Sequence, residues 1–129
     1  MKVIIAGSRT IKDPKLVEEA IRRSGFDITE VVSGKEPNGV DKMGENWADY
    51  NHIPIKPFPA LWDDLTTPGA VIKLNKFGKK YNAKAGPDRN MRMAEYADAL
   101  IAITSGTPGT KNMIELMAGK PTYILRINK

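Results

Sequence analysis

Thr104-Ser105-Gly106-Thr107-Pro108-Gly109-Thr110 sets hydroxyls and glycines between an apolar run, Ala99-Leu100-Ile101-Ala102-Ile103, and the helical pattern Lys-Asn-Met-Ile-Glu-Leu-Met-Ala. These are the residue types that hold a phosphate. Ser105, Thr107 and Thr110 offer hydroxyls, and Gly106 and Gly109 permit close backbone approach. The first free N–H groups of a following helix point at whatever anion sits there. The same residues also read as an ordinary strand-to-helix turn with Thr110 as N-cap. Two further loops have similar chemistry: Gly7-Ser8-Arg9-Thr10 after Val3-Ile4-Ile5-Ala6, and Ser33-Gly34 through Gly39 after Glu30-Val31-Val32. Arg9 is well placed for an anion. Asp41 follows the second of these loops closely, as a site carboxylate or as an acid favouring a helix N-terminus. Arg89 and Asn90 follow Gly86-Pro87-Asp88, and a cation in the first helical turn opposes the helix dipole unless an anion binds nearby.

Composition narrows the chemistry. The 129 residues contain no cysteine, which excludes thiolate metal sites, disulfides and thiol nucleophiles, and one histidine, His52, which argues against a His-based metal cluster or triad. No metal is expected and no cofactor is required. A net charge of +5 favours an anionic partner, with nucleotide and nucleic acid both open. No apolar run approaches the ~18 residues of a membrane span and no signal peptide is visible, so no membrane partner and a cytoplasmic location are expected. A homo-oligomer is compatible with the sequence.

The elements that would position these loops alternate. Strands are expected at residues 2–6, 30–33, 53–59, 99–103 and 121–127. Helices are expected from Asp13-Pro14 to Gly25, from about residue 40 to 51, from Gly86-Pro87-Asp88 onward, and from Thr110 to Gly119. In the second helix Val40, Met43, Gly44, Trp47 and Ala48 share the apolar face, while Asp41, Lys42, Glu45, Asn46 and Asp49 lie elsewhere, with a solvated face the leading reading for Glu45 and Asp49. This alternation predicts one α/β domain over residues 1–129, a Rossmann-like three-layer sandwich on a mainly parallel five-stranded sheet of order near 3-2-1-4-5. The three loops then meet at the carboxyl edge of the sheet, at the switch point between the first and fourth strands. None is the Gly-x-Gly-x-x-Gly fingerprint or a Walker loop. Residues 63–85 form a basic insertion, in which Lys73, Lys76, Lys79, Lys80 and Lys84 interleave with Phe77 and Tyr81. It reads as a lid over a ligand, a nucleic-acid patch or a solvated excursion.

Together Gly7-Ser8-Arg9, Ser33-Gly34, Gly39-Val40-Asp41, Gly44-Glu45, Trp47-Ala48, Phe58-Pro59-Ala60 with Trp62, Gly86 to Asn90, Met93-Ala94, the run 97–102 and Gly109-Thr110 resemble the small YspA/YpsA-related branch of the SLOG superfamily. That superfamily joins the DprA (Smf) proteins and the lysine-decarboxylase-like LOG proteins. The resemblance covers nearly the whole chain except about residues 63–80.

It implies a Rossmann-like fold binding a small phosphorylated nucleotide or nucleotide-derived ligand, such as ADP-ribose, NAD or a mononucleotide, for sensing or sequestration. The residues expected to bind it are Gly7, Ser8, Arg9, Ser33, Gly34, Gly39, Asp41, Arg89, Asn90, Ser105, Gly106, Gly109 and Thr110, with Trp62 as a base contact or lid. LOG enzymes instead cleave the N-glycosidic bond of nucleoside monophosphates with an Arg-x-x-x-Met segment and a glutamate soon after Gly-Gly-x-Gly-Thr. Arg89 and Met93 match the first part. Lys111-Asn112-Met113 follows Gly109-Thr110, and the next acid, Glu115, is displaced by one to two residues, roughly 100–200° around a helix. Any catalytic set would therefore be Arg89 with Asp41 or Glu45, and binding is favoured over hydrolysis. Single-stranded nucleic acid binding, as in DprA, is a further alternative, with Phe77 and Tyr81 stacking on bases.

Overall fold

A computed structural model describes residues 1–66 and 69–127, so Thr67 and Pro68 of the insertion expected at 63–85 lie outside the described residues. The run from Lys2 is β-branched and forms strand β1 (Lys2–Gly7). Asp13 accepts a hydrogen bond from the Lys15 N–H at 3.0 Å, Pro14 occupies the first turn, and Gly25 closes α1 (Pro14–Ser24) at φ 68°. The chain then alternates through β2 (Glu30–Ser33), α2 (Val40–Tyr50) and the short β3 (Ile55–Pro57). After an excursion it continues as α3 (Ala85–Tyr96), β6 (Ala99–Thr104), α4 (Pro108–Leu116) and β7 (Thr122–Arg126).

The five long-range strands form one parallel sheet in the order β3-β2-β1-β6-β7, which is the expected 3-2-1-4-5 arrangement. Side chains alternate across it as the pleat requires. Val3, Ile5, Ala99, Ile101 and Ile103 enter one core with Val17 and Ala20 of α1 and Val40 and Ala48 of α2. Ile4, Leu100 and Ala102 enter the other with Met93 and Ala94 of α3 and Met113 of α4. Helices therefore cover both faces, and β6, buried along its whole length, has no solvent-facing side. Among the described residues no helix is long and apolar enough to cross a membrane.

Several boundaries differ from expectation. Helix α4 begins at Pro108, so Thr107 holds the N-cap position and Thr110 lies inside the first turn. Proline preset for the first helical position, with no N–H to leave unpaired, explains the earlier start. The excursion is not structureless: β4 (Ile72–Leu74) and β5 (Lys80–Asn82) pair antiparallel as a hairpin. Asn75 closes its turn by accepting the N–H groups of Phe77 and Lys79, a local side-chain bond that the lysine spacing did not reveal. Helix α2 turns its expected apolar face inward, with Met43 and Trp47 packed against the core, and in addition buries Asp41 and Glu45 beside Val40, Gly44 and Ala48.

Strands β1 and β6 leave no room for a side chain at Gly7. A Cβ on Gly7 would lie 1.9 Å from the Ile103 carbonyl oxygen and 2.7 Å from Val40 Cγ2, whereas one on Gly109 would meet nothing within 4 Å. Gly7→Ala is expected to destabilise by more than the ~1–3 kcal/mol of ordinary overpacking, because a main-chain oxygen cannot rotate away. Gly109→Ala is expected to be neutral or slightly stabilising. Urea midpoints of the two variants check this.

Candidate functional site

The carboxyl edge of the sheet opens into a cleft of about 440 Å³, lined by Gly7, Arg9, Gly34, Asp41, Arg89, Asn90, Gly109 and Thr110. Trp62 of the excursion stands at its rim. Ala6, Glu36, Gly86, Pro87, Met93, Thr107, Pro108 and Met113 complete the wall. An adjoining recess of about 360 Å³ shares Arg9, Gly34, Glu36, Trp62 and Arg89, and runs on to Lys35, Pro37, Pro59 and Ala60. Ser8, Ser33, Gly39, Ser105 and Gly106 do not line the cleft. Their contacts show what most of them do instead.

Ser8 is a fastener. Its hydroxyl oxygen accepts from both the N–H and the O–H of Ser105 at 3.1 Å, which uses both lone pairs. Its own proton must then go to Thr107 Oγ1 at 3.2 Å. Thr107 Oγ1 in turn lies 3.1 Å from Thr110 Oγ1. Only one proton can be shared across that pair, so one O–H of Thr107 or Thr110 is left for the cleft. The first N–H groups of α4 have no intrahelical acceptor and emerge at the same wall. Thr104 Oγ1 braces the loop from below by accepting the Gly106 N–H at 2.9 Å.

The second loop is held to the first by backbone contact. Gly39 sits at φ 77°, and a Cβ there would lie 2.5 Å from both Arg9 Cα and the Ser8 carbonyl oxygen. Any side chain would push the two loops apart. Lys35 adopts the left-handed conformation at φ 61°, unusual outside glycine. Its N–H donates to Ser33 Oγ at 3.1 Å and its Nζ to Glu45 Oε1 at 3.0 Å, while Ser33 Oγ donates to Glu45 Oε2 at 2.5 Å. Glu45, 5 % exposed, is thus a buried brace for this loop and faces neither solvent nor the cleft. The solvated-face reading fails for it, because Asp41 and Glu45 flank Gly44 on a stripe at 40, 41, 44, 45 and 48 that obeys helical spacing as well as the apolar one does.

Arg89 carries the third connection. It is the fifth residue of α3, one place beyond the expected first turn, because the helix starts at Ala85. Its Nη1 donates to the Gly34 carbonyl, and its Nε donates to Asn90 Oδ1 at 2.9 Å. Asn90 Nδ2 reaches on to Asn112 Oδ1 at 3.0 Å and the Gly109 carbonyl at 3.5 Å, linking α3 to the N-terminal half of α4. Burial holds the Arg89 guanidinium below its ordinary range, with Asp41 and Glu36 pulling it back up.

Asp41 is the cleft's unusual carboxyl. Burial pushes its pKa up to about 7 against the opposing pull of Arg89 and of the Glu36 N–H, which donates to it at 3.4 Å. Asp41 and Arg89 both crowd Gly34, yet they are not a direct ion pair among the described residues. A carboxyl so placed can carry or release a proton near neutrality. On α4 the wall position is taken by apolar Met113, while Glu115 faces solvent. Asp98 lies outside the cleft and binds the start of β1, accepting the Lys2 N–H at 2.9 Å. In the hairpin, Phe77 is 82 % exposed with Lys76 Nζ 5.1 Å from its ring, whereas Tyr81 packs against Trp62.

Residues 1–64 match the model of the YspA, cpYpsA-related SLOG family. No curated protein and no solved structure matches the chain. The matched half carries the first two loops, Asp41 and Trp62; Arg89, Asn90 and the α4 loop join them through the fold.

Asp41 also makes stability depend on pH in a defined direction. An unfolded aspartate releases its proton near pH 3.9, so between that value and about 7 the folded chain holds a proton that the unfolded chain has lost. Stability from this group is fullest below the lower value, falls as pH rises, and levels off above the upper one. Asp41→Asn is expected to match the wild type near pH 4 and to exceed it by roughly 2–4 kcal/mol at pH 8. Urea unfolding of both proteins across this range tests the sign and the window.

Proposed function

We propose that the cleft binds a small phosphorylated nucleotide or nucleotide-derived ligand, a reading supported by the match of residues 1–64 to the YspA, cpYpsA-related SLOG family model. The observation that carries this reading is the convergence, in one cleft at the β1/β6 switch point, of Gly7, the α4 N-terminus with Thr107 and Thr110, and the two cations Arg9 and Arg89. A phosphate at α4 receives unpaired N–H groups, the favourable end of the helix dipole and one threonine proton. Arg9 and Arg89 supply the opposing charge. A volume of about 440 Å³ lies within the range of roughly 300–1,000 Å³ typical of small-molecule sites.

Holding the ligand accounts for more of the wall than cutting it does. Arg89 is already committed to Gly34 and Asn90, which orients its remaining donors without demanding that they move. Glu45 is sequestered by Ser33 and Lys35, and Met113 brings no acid from α4. Sensing or sequestration follows from such a site.

One observation favours a second reading. Asp41 can donate a proton near neutral pH, as hydrolysis of an N-glycosidic bond requires: the C1′–N bond breaks, the acid protonates the departing base, and water adds its oxygen to C1′ while its released proton returns to the carboxylate. Incubating the protein with nucleoside monophosphates and separating the products by chromatography tests this. Free base released by the wild type but not by Asp41→Asn establishes turnover, and none from either leaves binding alone.

For the principal reading, calorimetric titration with ADP-ribose, NAD and mononucleotides is expected to give saturable binding to at least one of them. Arg89→Ala is expected to weaken it by about tenfold or more, the loss of a charge-assisted contact worth roughly 1.5–3 kcal/mol. Absence of binding to every one of these ligands overturns the assignment.

A further inference from the structure

Trp62 is the one aromatic side chain lining the cleft among the described residues, and it borders the adjoining recess as well. It comes from the excursion, not from the sheet or its helices. Its ring is left 43 % exposed, yet it is held from several sides. Beneath it lies Gly86 in the first turn of α3, where a Cβ would stand 2.8 Å from the ring atom Cη2. Tyr81 packs edge-on at 6.2 Å between ring centroids. The Trp62 carbonyl accepts the Asn82 N–H at 2.7 Å.

Asn82 is itself almost wholly buried and closes the base of the hairpin. Its Oδ1 accepts the N–H groups of Val71 at 3.3 Å and Lys84 at 3.0 Å. One asparagine thus ties both ends of the hairpin to the backbone of Trp62. The result is a fixed, half-open aromatic surface in the cleft that also holds Arg9, Arg89 and the hydroxyls of Thr107 and Thr110.

We propose that Trp62 is the nucleobase platform of this cleft: a planar heterocycle stacks on its ring while the attached phosphate occupies the wall at Thr107, Gly109 and Thr110, with Asn82 as its positioning residue. The proposal rests on the nucleotide-binding reading and adds which part of the ligand is recognised by the excursion. Stacking on an aromatic face is tolerant of base identity. The cleft therefore discriminates a nucleotide from a bare sugar phosphate more sharply than one base from another.

The test is calorimetry on the full chain with AMP, GMP, ADP-ribose and ribose 5-phosphate. The wild type is expected to bind the best of the three base-containing ligands at least about tenfold more tightly than ribose 5-phosphate, a difference of ~1.4 kcal/mol. Trp62→Ala is expected to erase that difference while leaving ribose 5-phosphate affinity unchanged, and Trp62→Phe, which keeps a stacking face, to restore most of it. Asn82→Ala should lose part of the same difference and spare the sugar phosphate. Equal affinity of the wild type for nucleotide and sugar phosphate overturns the proposal, as does a Trp62→Ala variant that binds nucleotide normally or loses both ligands in parallel. Wild-type protein that binds none of the four defeats the nucleotide reading itself, a separate result.

Discussion

At the end of β1 the chain passes so close to β6 that Gly7 and the Ile103 carbonyl leave no room for a side chain. The next residue, Ser8, uses that proximity. Its N–H donates to the same carbonyl at 3.2 Å, and its hydroxyl gathers Ser105 and Thr107 from the loop after β6. Gly39 lies against the backbone of Ser8 and Arg9 from the other side, bringing in the loop after β2. Three connections that leave the sheet for different helices are thereby joined at one dipeptide. Were β1 and β6 farther apart, the loops would have no common anchor and the cleft no floor.

Division of labour around that anchor follows from hydrogen-bond capacity. A hydroxyl has one proton and two lone pairs, so Ser8 and Ser105, whose protons go to Thr107 and to Ser8, have none left to give an anion. The capacity that remains lies farther along the chain of hydroxyls, at Thr107 and Thr110, and in the free N–H groups of α4. The carboxylates are sorted in the same way. Glu45 is satisfied by Ser33 and Lys35 and serves the loop, while Asp41, desolvated and only weakly hydrogen-bonded, is left with a proton affinity that matters near neutrality. Two acids four residues apart on one helix thus have unlike roles because their neighbours differ.

The excursion between β3 and α3 shows how an inserted segment can be attached to a site without disturbing the sheet. An isolated two-stranded hairpin gains little stability by itself. This one is secured at its base by Asn82 and by Trp62 lying on Gly86, and it leaves Ile72, Leu74 and Phe77 exposed along its length. Its lysines surround that apolar surface, and Lys79 is paired with Asp63 at 3.4 Å. The excursion thus contributes one ring to the cleft and leaves its remaining large apolar side chains outward.

Much of this protein could be read without coordinates. Local chemistry suffices for β-branched runs, for Asp13-Pro14 opening a helix and Gly25 ending it, and for alternation that permits few topologies besides the observed parallel order. Gly7, Arg9, Gly34, Asp41, Arg89, Asn90, Gly109, Thr110 and Trp62 were legible as candidates for the cleft and do line it. Sequence could not show which hydroxyls bond to one another, since Ser8 and Ser105 are 97 residues apart. Nor could it show that Asp41 and Glu45 turn inward, because hydropathy assigns a carboxylate to solvent unless a partner is known, and Ser33 and Lys35 become partners only when β2 and α2 pack together. Periodicity and propensity act along a few residues of chain, whereas the direction of a proton, the burial of an acid and the seat of Trp62 on Gly86 depend on groups brought together by the closed sheet.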